Sequence, residues 1–105
     1  MISEKMIEEF EKQKKENPGF VVLIRRGIFH YLLQEQAERL AASLNLKLKT
    51  ITENSPSGET KTVKSCGFPD SGLDKYVGRM VRLGENVIIF EDGKITEKIE
   101  VHKKC

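Results

Sequence analysis

Several things are scarce in this sequence, and each scarcity excludes something. There is no tryptophan, and only two cysteines occur, Cys66 and Cys105. One lies mid-chain and the other is the last residue, so no disulfide framework is expected and both read as free thiols. No apolar run approaches the roughly 20 residues that a membrane span needs. The N-terminal segment carries Glu4, Glu8 and Glu9, unlike a signal or transit peptide, and a cytoplasmic location is expected. A strong net charge is also missing. The formal value is +2, so any basic footprint for a nucleic acid must be local. The spacing of His30, His102, Cys66 and Cys105 fits no paired zinc-ligand pattern, no serine or cysteine lies in a nucleophile motif, and neither cofactor nor enzymatic activity is expected.

What is present is a balanced globular composition, 38% hydrophobic and 32% charged over 105 residues, which fits one small domain spanning 1–105. The chain is organised around Phe20–Tyr31. Phe20 to Ile24 is a run of five apolar residues, apolar on both faces, and predicts a central strand reaching Arg26. Arg25, Arg26, Gly27 and Phe29 follow. A strand that ends in cations, a glycine and a ring can offer phosphates the arginines and a base the ring. On pattern alone, Phe29 reads first as the opening core residue of a following helix, because apolar residues usually pack.

Before this strand, Ile2, Met6, Ile7 and Phe10 make a narrow helical stripe, capped by Ser3 and stopped by Pro18-Gly19. After it, Phe29, Leu32, Leu33, Ala37, Leu40, Ala41 and Leu44 recur at helical intervals, with Gln34, Glu35, Glu38 and Arg39 opposite. A helix is expected from Phe29 to near Asn45. Leu46–Glu53 and Glu59–Cys66 alternate around the turn cluster Asn54–Gly58 and predict a hairpin. Its Lys47, Lys49, Lys61 and Lys64 read either as a solvated face or as a phosphate-facing surface. Gly67–Gly72 reads as a loop, with Ser71 and Asp74 spaced as a capping box for a helix whose apolar face is Leu73, Tyr76, Val77, Met80, Val81 and Leu83, ended by Gly84. Asn86–Phe90 and Ile95–Val101 then form a hairpin through Asp92-Gly93. The predicted fold class is α/β, a mixed sheet with about three packed helices.

Three segments together resemble the N-terminal mismatch-recognition domain of the MutS DNA mismatch repair family. Gly27-Ile-Phe29-His-Tyr31 matches a Gly-x-Phe-Tyr-Glu motif after a strand. Gly67-Phe-Pro69 followed by Leu73-Asp-Lys-Tyr76 matches a Gly-x-Pro motif before a tyrosine-bearing helix, and Gly84 followed by Asn86–Glu91 matches a helix stop and strand. The likeness spans roughly residues 10 to 100. It implies a DNA-binding domain whose partner is double-stranded DNA with mispaired or distorted base steps, alongside other mismatch-repair proteins. It places Phe29 as the ring that enters the duplex and Tyr31 beside the base, and the neighbouring Arg25 and Arg26 are the candidates to hold backbone phosphates. The sequence departs from the motif at His30 and at Tyr31, which stands in the glutamate position and brings a phenol without a negative charge. The family's connector, lever, clamp and ATPase domains have no counterpart here, and no phosphate loop occurs, so no ATP site is expected in this chain.

The alternative is a protein-interaction or regulatory module that keeps the fold without mismatch recognition. A third reading, a metal-dependent nuclease built on Pro69-Asp70 and Asp92-Gly93-Lys94, conflicts with Asp92 and Gly93 being turn residues.

Overall fold

The computed structural model describes residues 4–54, 58 and 60–101. Ser3, most of the 54–58 turn cluster, His102 and Cys105 lie outside the described residues. The elements are α1 (Glu4–Glu16), β1 (Phe20–Arg26), β2 (Phe29–Leu33), α2 (Gln34–Leu40), β3 (Lys49–Asn54), β4 (Thr60–Pro69), α3 (Leu73–Arg82), β5 (Asn86–Glu91) and β6 (Lys94–Ile99), with a 3-10 turn at Asp70–Gly72. The six strands form one mixed sheet in the order β3-β4-β2-β1-β5-β6. β1 and β5 run parallel; the other neighbours are antiparallel.

The sheet is covered on both faces, which is why β1 is apolar on both. On one face α1 sets Met6, Ile7 and Phe10 against Val22, Ile24, Leu33, Val63 and Phe90. On the other, Ala37, Leu40, Ala41, Leu44 and Met80 close over Val21, Leu23, Leu32, Phe68, Val87 and Ile89. Among the described residues no helix is long and apolar enough to cross a membrane.

The expected long helix from Phe29 is shorter than its periodicity. Phe29–Leu33 is a strand, hydrogen-bonded between β1 and β4, and α2 begins only at Gln34, whose φ of +58° marks the break. The apolar spacing misled because β2 is buried on both faces toward its end. Leu32 enters one core and Leu33 the other, so a two-residue period looks like the start of a helical stripe. Asn45 does take a left-handed conformation, φ +57°, at the close of the turns that follow α2.

Two further expectations change. β4 runs on to Pro69, so Gly67 is a strand residue, and Cys66 lies within the strand rather than at its end. Burial pushes the Cys66 thiol up to about 11. The Ser71–Asp74 capping box does not form: the residue preceding α3 is Gly72, and no side chain caps the helix. The terminal hairpin is as expected, with Asp92 and Gly93 at φ +49° and +77° between paired Glu91 and Lys94.

Candidate nucleic-acid interface

β1 and β2 are joined by the two-residue turn Gly27-Ile28. Arg26 pairs with Phe29 across it, and Gly27 alone takes a positive φ, +64°, as a type II′ turn requires. This hairpin was not expected from the sequence, although a glycine two residues before a run of strand-forming aromatics was its signal. The turn is tied down from the side, since the Asp70 amide donates to the Ile28 carbonyl at 2.8 Å. At its tip Ile28 is 68% exposed and Phe29 39% exposed.

Strand alternation divides the predicted site residues between two faces. Arg26, Phe29 and Tyr31 share the α1 face, whose core residues Ile24 and Leu33 lie on the same strands. α1 covers the Leu33 end, and Phe29 remains partly in solvent. The Phe29 and Tyr31 ring centroids are 6.1 Å apart with planes inclined by 28°. Beside them a groove of about 400 Å³ is lined by Phe29, Tyr31, Lys47, Lys49, Ser65 and Gly67. Arg26 has no ion pair among the described residues.

Gly67 is required by this arrangement. It pairs with Tyr31, whose ring lies over it. A Cβ there would stand 2.9 Å from Tyr31 Cδ1 and 3.0 Å from the His30 carbonyl oxygen. In the sequence Gly67 stands only as part of the Gly67-Phe-Pro69 motif, with nothing to mark the ring that lies over it.

Arg25 and His30 face the other way. Arg25 Nη2 donates to Asp70 Oδ2 at 2.7 Å, and Nη1 donates to both Glu91 oxygens at 3.1 and 3.2 Å. Arg25 thus ties the end of β1 to the end of β5 and to the residue after β4. Part-exposed pairs of this kind add little stability, but they hold three strand ends in register behind Phe29. Asp70, Glu91 and Arg25 hold one another, and Asp92 lies in a turn, an arrangement unlike two carboxylates converging on a metal.

His30 is buried against Phe68, with ring centroids 5.6 Å apart, and Phe68 stacks on Tyr76 at 4.6 Å. His30 Nδ1 lies 3.0 Å from Asp70 Oδ1, without the alignment of a hydrogen bond. Burial, the largest cause, pushes the imidazole pKa below its usual 6.5; Asp70 opposes this and Arg25 reinforces it. The unfolded chain therefore binds the extra proton first. This contribution to stability is complete above pH 6.5 and is lost as pH falls from there toward the folded pKa. The urea midpoint is expected to decline as pH drops from about 7 to about 5, and His30→Phe to flatten that decline. An unchanged slope in the variant would assign the titration elsewhere.

Known proteins resemble this chain in two respects. A family model described as MutS domain I matches residues 4–104. The DNA mismatch repair protein MutS of Phocaeicola vulgatus is 35% identical over 97 residues, covering 90% of this chain and 11% of that protein.

Proposed function

From the premise that this chain belongs to the MutS domain I family, we propose that it binds duplex DNA at mispaired or distorted base steps, with Phe29 entering the base stack. The observation that carries this reading is the partly exposed Phe29 ring on a tight turn clamped by Asp70. A mispair lowers the cost of unstacking, so an inserted ring favours defective steps over matched ones. Arg26, across the hairpin from Phe29, takes a neighbouring phosphate. Tyr31 offers the base one phenolic hydrogen bond in place of the carboxylate of the motif. Arg25 acts indirectly, by holding the strand ends through Asp70 and Glu91. No step in this reading is catalytic.

The test is an anisotropy titration of matched against G·T-mismatched duplex at low salt. The mismatched duplex is expected to bind more tightly, and Phe29→Ala to remove the difference. Ring stacking of about 1–3 kcal/mol sets the size of the loss. Equal affinities in the parent chain would refute the reading and leave the protein-interaction alternative. That alternative draws on Tyr31 replacing an acid, and the outward position of Phe29 weighs against it.

A further inference from the structure

We propose that the Phe29–Tyr31 face also binds single-stranded nucleic acid without any duplex, two successive bases resting on the two rings and the backbone passing along Lys47 and Lys49. This goes beyond mispair recognition. A wedge needs one ring and a duplex to enter, whereas this face has two rings and a basic border.

Phe29 and Tyr31 are two residues apart on β2, so both project from one face, about 6.6 Å apart along the strand. Their centroid separation of 6.1 Å keeps that spacing. Adjacent rings on an open sheet face are how a strand of unpaired bases is held, because every base has a π-face to stack and none needs to be read. No α1 residue lines the groove of about 400 Å³ beside the half-buried Tyr31, which gives a nucleotide room.

The chemistry of the border suits a phosphate backbone. Lys47 and Lys49 line the groove, and no acidic side chain is among its lining residues. Neither lysine has an ion pair among the described residues. Tyr31 contributes a neutral ring where a carboxylate would repel phosphate. Gly67 lets that ring lie close against β4, so little side-chain freedom is lost on stacking.

The chemistry recognised is an unpaired, stackable strand, which either DNA or RNA supplies. The full chain is titrated with fluorescein-labelled oligothymidylate and oligouridylate of about eight nucleotides, and with a blunt matched duplex. At least one single strand is expected to bind more tightly than the duplex, and the comparison of thymidylate with uridylate shows which sugar is preferred. Tyr31→Ala and Phe29→Ala should each weaken that binding about 5- to 150-fold, while Tyr31→Phe, which keeps the ring, retains it. Lys47→Ala with Lys49→Ala should lower the salt slope by about 1.4, or about 0.7 per phosphate contact. Circular dichroism confirms that each variant is folded.

Absence of binding to both single strands, or binding that Tyr31→Ala leaves intact, overturns the proposal. The two readings fail separately. Loss of mismatch preference with single-strand binding intact removes only the duplex reading, and the converse removes only this one.

Discussion

Replacing Gln36 with leucine is expected to cost about 2–6 kcal/mol of folding stability. Gln36 is fully buried. Its Oε1 accepts from the Val22 amide at 2.9 Å and its Nε2 donates to the Val22 carbonyl at 2.5 Å. The need for it follows from the topology. Tyr31 pairs with Ile24, the last β1 partner of β2, and the chain then turns into α2 at Gln34. Val22 in the central strand is thereby left without a strand on that side. The side-chain amide turns an N–H donor and its carbonyl acceptor toward Val22 and takes the place of the missing residue. Leucine fills similar space and orphans both backbone groups, each at about 1–3 kcal/mol. Urea unfolding should show a lowered midpoint at unchanged slope. A midpoint within error of the parent would mean that water or a shifted strand satisfies Val22 instead.

Gly67→Ala is expected to cost about 1–3 kcal/mol and to move the Tyr31 ring, because the added methyl has nowhere to go. One of its two contacts would be the His30 backbone oxygen, which cannot swing aside. The near-UV circular dichroism of the chain, which has only two tyrosines, should change with the ring's surroundings. A double-mutant cycle isolates the cause. In a Tyr31→Ala background the cost of Gly67→Ala should fall by at least about 0.5 kcal/mol, since one of the two clashes is gone. An equal cost in both backgrounds would mean that the glycine serves the backbone alone, and that the ring is not held by it. The same variant reports on the site, since displacing the half-buried Tyr31 separates its ring from that of Phe29.

These two residues mark the boundary of what was readable. Phe20–Ile24 announced a central strand, and Gly84 and Asp92-Gly93 announced their stops and turns, because each depends on local backbone preference or on a continuous apolar run. The motif order around Gly27, Phe29, Gly67 and Pro69 was enough to indicate the family. The role of Gly67 was not readable, since only the β2–β4 register brings it under Tyr31. Gln36 carried no signal either: one glutamine in a polar, helix-forming stretch looks like surface until the strand it serves is known. Arg25 and Arg26 are adjacent and chemically identical, yet one is locked between two carboxylates and the other stands beside Phe29.

By itself, then, the sequence determined the α/β class, the central strand and the left-handed backbone at Asn45, Gly84 and Asp92-Gly93. Those properties come from short-range sterics and from hydrophobic patterning, and both act within a few residues. Tertiary structure alone decided that Phe29–Leu33 is a strand, which face each arginine occupies, and that Tyr31 rests on Gly67 beside a basic groove. The physical reason is that a segment buried on two faces satisfies strand and helix periods alike, so only the hydrogen-bonded neighbours on either side can choose between them.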